Sequence, residues 1–284
     1  MVTGVRSTRP AWILALVLLL PARAEAWGFE VHQFIMDRAI GLLSGDLRSV
    51  FERHRAVVVE RAIDPDTWIT TGGFDEEAPR HFLNLDAPGY GEYPFGALPR
   101  DYARAVALFG EPRVRRNGTL PWRTDEVFER LRSAFASPRG RSAAGELDAI
   151  RLGAALSHYV ADAHVPFHAV TNYDGQLTNQ RGIHARFETT LFARMRTRLV
   201  IAPRSRPPIR APRDAVFDAL IEGTRLVPAI LRADAAAARG GAYDDAYYDA
   251  FFREVRPVLE RRLNESIAAV AAAITGAWEA AGRK

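Results

Sequence analysis

The sequence HYVADAHVPFHAVTNYDGQLTNQRGIHARFE runs from His158 to Glu188 and contains four of the seven histidines of the chain. His158 and Asp162 are four residues apart, so on a helix both side chains would project from the same face. His184 and Glu188 repeat this spacing on what the sequence indicates is a second helix. The stretch therefore predicts two helices, each of which carries a histidine and an acid one turn apart.

Pro166 lies between these two pairs and should end the first helix near Val165. The turn that follows would bring His168 back toward the same centre. A single histidine–acid pair is most simply a surface ion pair. Two such pairs around a third histidine favour a metal centre instead, because zinc binds imidazole nitrogen and carboxylate oxygen at about 2.0–2.2 Å.

Residues 1–26 have the features of a signal peptide. Arg6 and Arg9 precede a short apolar run, and a small-x-small cleavage motif ends at Ala26. The apolar run is shorter than the ~20 residues of a transmembrane helix, although an uncleaved anchor is the alternative interpretation. We expect a secreted or periplasmic protein whose mature domain, residues 27–284, contains no cysteine.

The charge of the chain is close to balanced. The formal net charge is +4 over 284 residues. Three arginines and one glutamate of the leader account for half of it, which leaves about +2 on the mature domain. This balance is too even to indicate a nucleic-acid-binding face from bulk charge alone.

Apolar residues recur at helical spacing along the whole chain, and no run alternates as a half-buried strand would. The sequence therefore predicts a single all-α domain with well under a tenth of its residues in strands. Asn117-Gly118-Thr119 matches a glycosylation acceptor, but we interpret it as a turn. The predicted helices comprise one that carries His32 and others over 46–63, 101–109, 124–135, 146–165, 213–239 and 243–280, and a long Gly- and Pro-rich segment covers 70–99.

Further potential ligands lie outside the opening stretch, and the full set resembles that of the trinuclear-zinc phosphodiesterases. This superfamily contains bacterial zinc-dependent phospholipases C and secreted single-strand-specific zinc nucleases. The resemblance covers most of the mature chain and is close at the N-terminus, around His81 and from His158 to Glu188. The matching residues are Trp27, His32, Asp66, His81, His158, Asp162, His168, His184 and Glu188.

In that superfamily the N-terminal tryptophan of the mature protein binds zinc through its α-amino group and carbonyl oxygen, and cleavage after Ala26 would expose Trp27. Carried over residue by residue, the resemblance implies three zinc ions. The first would bind Asp66, His81, His158 and Asp162; the second would bind Trp27 and His32, with Asp162 bridging it to the first; and the third would bind His168, His184 and Glu188.

The resemblance also implies the chemistry, with Asp66 and Asp162 as the catalytic residues. A hydroxide between two zinc ions exists at neutral pH because the cations lower the pKa of water from ~15.7 to near ~7. The remaining zinc can neutralise the phosphate and stabilise the leaving oxygen. The implied activity is hydrolysis of phosphodiester bonds.

The substrate is left open between phospholipid headgroups and single-stranded nucleic acid. The spacing from Trp27 to His32 and the His-Phe-x-Asn segment are similar to the nucleases. Glu188 in place of aspartate, the short arm before His184 and the lack of cysteines are similar to the phospholipases. Ile69 stands where the nuclease pattern has an arginine, which is a departure from that pattern.

Aromatic and polar residues that follow His81 are the predicted substrate contacts. A core position is the alternative for Phe82. A phospholipid substrate would imply transient contact with a membrane surface, and we expect no obligate protein partner. The predicted contacts are Phe82, Asn84, Tyr90 and Tyr93.

A secreted helical protein that holds zinc without catalysis is the alternative from a different functional class. Structural zinc sites are closed, whereas catalytic sites keep an open position. A third zinc with only three protein ligands favours catalysis. His164 should face away from the ligands, and Asp64 is interpreted as a turn residue.

Overall fold

Helices make up the regular structure of the chain in the computed structural model, which describes residues 28–137, 142–238 and 241–283. These ranges contain α-helices, 3-10 turns and π turns, and none of their residues lies in a strand. The prediction of an all-α fold in one domain is confirmed. The predicted signal peptide, residues 1–26, and Trp27 lie outside the described residues.

The described α-helices differ widely in length, and no helix among them is long and apolar enough to cross a membrane. In chain order they are α1 (Phe29–Ile40), α2 (Gly45–Arg53), α3 (Arg55–Glu60), α4 (Asp64–Trp68), α5 (Phe74–Glu77), α6 (Tyr102–Phe109), α7 (Glu111–Arg116), α8 (Leu120–Ala136), α9 (Ala143–Asp162), α10 (Ile183–Ala185), α11 (Leu191–Met195), α12 (Pro212–Ala237) and α13 (Asp245–Ala280). Short 3-10 turns cover Arg61–Ile63, Ala78–His81, Pro166–Ala169 and Arg196–Arg198, and π turns cover Ile69–Gly73 and Arg186–Thr190.

Helix α9 lies in the core, because every residue from Gly153 to Asp162 is buried. Its N-terminus is capped by the side chain of Ser142, which accepts a hydrogen bond from the backbone of Gly145. Small residues let neighbouring elements approach closely: a Cβ at Gly153 would lie only 2.9 Å from the ring of Phe51. The C-terminal half of the helix, which carries two predicted ligands, is therefore packed on all sides.

Helix α13 packs on α9, and α12 packs on α13 and on the turn Pro166–Ala169 that follows α9. Asp244 caps α13 by accepting a hydrogen bond from the backbone of Tyr247. The extended segment before α12 packs on α13, where Ile209 donates its backbone N–H to the carbonyl of Ala272 at 2.9 Å. Helix α13 thus packs directly on α9, while α12 covers the turn after it and the segment before α12 lies on α13.

The helix boundaries differ from the predicted ones where the chain turns. The predicted helix 46–63 is broken at His54 into α2, α3 and a 3-10 turn. Helix α9 ends at Asp162, three residues before the predicted end, and Pro166 begins a 3-10 turn instead. Proline favours this first-turn position because it lacks the N–H that would be unpaired there.

The segment 70–99 is helical in its first part rather than a loop throughout, since short helical turns continue to His81. Two backbone hydrogen bonds connect the chain after His81 to the turn Pro166–Ala169. Leu83 donates to the carbonyl of His168, and Leu85 donates to the carbonyl of Ala169, each at 2.9 Å. These bonds join the segment after His81 to the turn that carries His168.

Candidate metal centre

Eight of the nine predicted metal ligands are buried and lie close together in the core. Trp27, the ninth, lies outside the described residues. The eight come from separate elements: His32 from α1, Asp66 from α4, His81 from the turn Ala78–His81, His158 and Asp162 from α9, His168 from the turn Pro166–Ala169, and His184 and Glu188 from α10 and the π turn after it.

Asp162 joins the other donors. Its Oδ2 lies 3.0 Å from Nδ1 of His81 and 3.3 Å from Nε2 of His158. Its Oδ1 lies 3.4 Å from Nε2 of His32 and 3.8 Å from Nδ1 of His168. The two oxygens face different histidines, so this carboxylate is placed to bridge two cations.

The donor atoms fall into three groups, and within each group they all lie within 4.8 Å of one another. His158 belongs to two groups, and Asp162 contacts members of all three. Asp162 therefore lies where the groups meet. The groups are His32, His158 and Asp162; Asp66, His81 and His158; and His168, His184 and Glu188.

Many of these buried atoms have no hydrogen-bond partner within the described part of the chain. They include both ring nitrogens of His32 and His184, both oxygens of Glu188, Oδ1 of Asp162 and Nδ1 of His168. Buried polar atoms are nearly always paired, because an unpaired one costs about 1–3 kcal/mol. Bound cations would explain the cluster. It can hold metal ions, and its nitrogen and oxygen donors suit zinc.

Two of the histidines are oriented by groups outside the ligand set. Nδ1 of His158 donates to the carbonyl of Ala62 at 2.9 Å, which leaves the lone pair on Nε2 facing the carboxylates. His81 directs Nδ1 at the carboxylates, while its Nε2 lies 3.7 Å from Oε1 of Glu77, close enough for an ion pair but too far for a hydrogen bond. The hydrogen bond to Ala62 fixes the tautomer and ring orientation of His158, whereas Glu77 acts on His81 through its charge.

Glu77 is itself buried and fixed in place. The hydroxyl of Tyr159 donates to Oε1, and Nη1 of Arg80 donates to Oε2 at 2.6 Å. Burial opposes ionisation of Glu77, but its interactions with His81, Tyr159 and Arg80 outweigh burial and lower its pKa to about 2. Glu77 is therefore a carboxylate at neutral pH and can orient His81.

The Glu77→Gln substitution should lower the affinity for one zinc ion about 10–100-fold, the usual effect of losing such a partner. The neutral amide would attract the His81 ring less strongly. Competition with a chromogenic chelator measures the affinity. The control is Glu76→Gln, an exposed neighbour in the same helix, and equal affinities for the two variants would contradict the role assigned to Glu77.

The predicted ligands differ in their protonation at pH 7 when no metal is bound. Burial lowers the pKa of His32 to about 4 and that of His168 to about 3, so both rings are neutral at pH 7. Burial also lowers the pKa of His81, but interactions with Asp162 outweigh it and raise the value to about 9. Burial raises the pKa of Glu188 to about 7.

Zinc binding at pH 7 should therefore release protons, because His81 and a fraction of Glu188 must lose theirs before they can bind a cation. The apparent zinc affinity should rise as the pH is raised toward 9, because His81 then loses its proton before zinc binds and zinc need not displace it. Titration calorimetry in two buffers with different ionisation enthalpies counts the protons. A count of zero at pH 7 would contradict this protonation pattern.

Arg186 anchors the segment between His184 and Glu188. It is buried and donates to Oδ1 of Asp234 through Nε at 3.2 Å and through Nη2 at 3.0 Å. It also donates to two backbone carbonyls, and its guanidinium lies 4.0 Å from the centre of the Tyr243 ring. With so many partners the arginine cannot shift easily, so the two ligands beside it are held in place.

The predicted substrate contacts occupy different environments. Phe82 and Asn84 are half-buried in the segment after His81, and the ring of Tyr93 is 51% exposed. Tyr90 is fully buried, and its ring packs edge-on against Phe109. Tyr90 is a core residue, so the contact with substrate predicted for it does not fit its position.

Other residues weighed in the sequence lie outside the cluster. The ring of His164 is buried and its Nδ1 donates to the carbonyl of Val160, while Asp64 accepts a hydrogen bond from Arg61. Sequence reasoning did not identify Glu77, although it precedes His81 by four residues, the same spacing as in the two ligand pairs. It also missed Arg186, whose partner is distant in the chain.

Comparisons with known proteins find no family model that matches the chain and no matching curated protein. The function is therefore inferred from the donor set and its geometry.

Proposed function

We propose that the protein is a zinc-dependent phosphodiesterase of the kind its sequence resembles, a hydrolase that acts on phosphoester bonds. The observation that carries the proposal is the buried cluster in which Asp162 contacts three groups of nitrogen and oxygen donors. Cations held this close together suit a phosphodiester, whose anionic oxygens need neutralisation on both the attacking and the leaving side.

The residues divide into three zinc sites around Asp162. In the third site the protein supplies three donors, which would leave a coordination position for substrate or water, as catalytic zinc sites require. We assign Asp66, His81, His158 and Asp162 to one ion, His32, Asp162 and Trp27 to a second, and His168, His184 and Glu188 to the third.

Bound zinc would supply a water of lowered pKa and neutralise the phosphate. The residues of the chain contribute position and charge. Asp66 and Asp162 supply negative charge to the shared part of the centre, and Asp162 fixes the distance between two sites because its oxygens point to different histidines. Burial of these side chains keeps bulk water away from the charges, which strengthens their interactions.

The start of α1 favours a further ligand from the N-terminus. Gly28 donates its backbone N–H to Oγ1 of Thr189 at 3.2 Å, and Thr189 directly follows Glu188. A Cβ at Gly28 would lie 2.6 Å from Thr189 Cγ2, so only glycine allows this approach. Cleavage after Ala26 would free the α-amino group of Trp27, whose ordinary pKa of about 7.7–8.0 lets zinc displace its proton. Mass spectrometry of the exported protein tests this cleavage site.

Phospholipid and single-stranded nucleic acid both remain candidate substrates. An aromatic ring at Phe82 or Tyr93 could stack on a base, which contributes about 1–3 kcal/mol. The same rings could contact a quaternary ammonium, which contributes about 0.5–2 kcal/mol. These energies overlap, so the choice depends on a direct assay. A phospholipid substrate would require transient contact with a membrane surface.

Hydrolysis of bis(4-nitrophenyl) phosphate by the zinc-loaded protein tests the reaction, with 4-nitrophenyl phosphate as the monoester comparison. We expect zinc-dependent cleavage of the diester that exceeds cleavage of the monoester. His158→Ala should remove both zinc and activity, and His54→Ala is the control, because His54 contacts Glu146 outside the cluster. Phosphatidylcholine and single-stranded DNA, assayed side by side, then identify the substrate class.

Full zinc content without hydrolysis of any of these four compounds would contradict the proposal. It would favour the alternative of a zinc-binding protein that is not an enzyme. A closed third site, with four protein donors, would favour the same alternative.

A further inference from the structure

The turn from Ala163 to Phe167 connects two ligands of the proposed centre, Asp162 and His168. Asp162, at one end, contacts the first two donor groups, and His168, at the other end, belongs to the third. The distance between the groups therefore depends on the conformation of five residues. Neither Asp162 nor His168 can hold that turn by its own side chain, because both side chains face the cluster.

Arg262 contacts this turn from the opposite side. It lies in the middle of α13 and is 1% exposed. Its Nε donates to the carbonyl of His164 at 2.8 Å, and its Nη2 donates to the carbonyl of Ala163 at 3.2 Å. Nη2 also donates to the carbonyl of Ala219 in α12 at 2.9 Å. One side chain thus connects α12 and α13 to the end of α9.

The carbonyls involved are those that need a partner. The last carbonyls of an α-helix, and those of the turn that follows it, accept no hydrogen bond from an N–H of the helix. A cation at the C-terminal end is favoured by the helix dipole as well. Arg262 supplies both the N–H groups and the charge at the end of α9. A lysine, with one nitrogen, could not reach the same carbonyls in this planar arrangement.

An ordinary ion pair does not account for the burial of Arg262. Its carboxylate partner, Glu265, accepts from Nη1 at 2.8 Å, but the side chain of Glu265 is 35% exposed. Removing a guanidinium from water for one half-exposed partner is costly, and an apolar side chain would be the more stable choice. The contacts that distinguish this arginine are those to the backbone carbonyls.

Helix α12 also packs closely on the turn. A Cβ at Gly223 in α12 would lie 3.4 Å from Cα of Pro166 and 3.9 Å from Nη2 of Arg262. The glycine lets α12 pack directly on the turn, so Pro166 and Ala169 are supported from outside. Together, α12 and Arg262 leave the turn little freedom.

We propose that Arg262 is a positioning residue that fixes the separation of Asp162 and His168 by holding the carbonyls of the turn between them. It touches neither metal nor substrate. The proposal rests on the proposed metal centre, because its effect is exerted on the relation between the Asp162 sites and the site of His168. It needs no assumption about which phosphodiester is the substrate.

Arg262→Lys tests the proposal, and Arg261→Lys is the matched control. Arg261 is the preceding residue in α13 and is exposed; its hydrogen bonds go to Glu222 and Glu265 rather than to the turn. Both variants are loaded with Co²⁺ in place of zinc, and the visible absorption spectrum reports the coordination geometry. Metal affinity, kcat and KM are measured at a temperature where circular dichroism shows both variants folded.

For Arg262→Lys we expect an altered cobalt spectrum, an affinity for at least one ion that is about 10–100-fold lower, and a lower kcat with KM little changed. For Arg261→Lys we expect values like those of the unsubstituted protein. A folded Arg262→Lys variant with an unchanged spectrum and unchanged kcat would overturn the proposal.

Glu265→Gln decides the matter if Arg262→Lys fails to fold. This substitution removes the charge of the ion pair but leaves the carbonyl contacts, so the cobalt spectrum and the metal affinity should stay like those of the unsubstituted protein. A clearly altered spectrum would overturn the proposal, because it would assign the effect to the ion pair rather than to the carbonyl contacts. The spectra do not depend on turnover. If the unsubstituted protein binds metal but hydrolyses no phosphodiester, the proposed function fails, whereas a spectral change in Arg262→Lys would still support the role of Arg262.

Discussion

Asp162→Asn is expected to lower the zinc content of the protein and to reduce phosphodiester turnover by about 10³-fold or more, since a bridging carboxylate supports two cations at once. One oxygen of Asp162 faces His81 and His158, and the other faces His32 and His168. Asparagine keeps the shape but places an NH₂ group where one of these oxygens lies. That group carries no lone pair for a cation, and the negative charge is lost.

Asp148→Asn is the matched control because Asp148 lies in the same helix, its side chain is 67% exposed, and its contact is a surface pair with Arg151. Such pairs contribute little, so the control should keep its metal and its turnover. Elemental analysis after dialysis gives the zinc content. An Asp162→Asn variant with full zinc and more than a tenth of the original turnover would contradict the role of Asp162 as the shared ligand.

Gly118→Ala is expected to destabilise the fold by about 3–5 kcal/mol, from the left-handed backbone conformation and the steric clash together. The φ of Gly118 is +99°, a backbone conformation that residues with a Cβ rarely adopt. A Cβ there would lie 2.0 Å from the carbonyl oxygen of Phe82, so the chain would have to move. Phe82 directly follows His81, so zinc affinity should fall with stability.

Gly110→Ala separates the two contributions. Gly110 also has a positive φ, +78°, but the nearest atom to its Cβ would be Cδ of Pro112 at 4.0 Å. This variant carries the backbone strain of about 1–2 kcal/mol without the clash. Urea unfolding of both proteins gives the difference. Equal losses would show that the contact between Gly118 and Phe82 has no energetic role.

The all-α fold could be predicted from the sequence because apolar periodicity is a local property. The same is true of the pair of donors in α9, since four residues on any helix bring two side chains to one face. The break of the predicted helix at His54 and the short helical turns before His81 were not predictable in this way. Their conformations depend on packing and on hydrogen bonds to distant segments.

The residues that hold the predicted ligands in place also differ in whether the sequence indicates them. Glu77 has a local signal, its spacing from His81. Arg186 and Arg262 have none, because each is an arginine in a helical pattern with other arginines nearby, and its partners lie far along the chain. Their burial distinguishes them, and burial follows from the tertiary arrangement. The burial of Tyr90 was not predictable for the same reason, since an aromatic residue in a Gly-rich segment can be core or surface.

The contacts of the turn after α9 bear on the order in which the chain folds. His32, Asp66 and His81 precede the donors of α9 in the chain. Arg262, which holds the turn after α9, follows all of the predicted ligands. Contacts between such distant residues carry a high loop-closure entropy and form slowly. In the proposed centre, stable metal capture would therefore be a late event in folding that requires α13 to be packed in place. Intermediates that precede it would carry histidines and carboxylates that are not yet held in a common geometry.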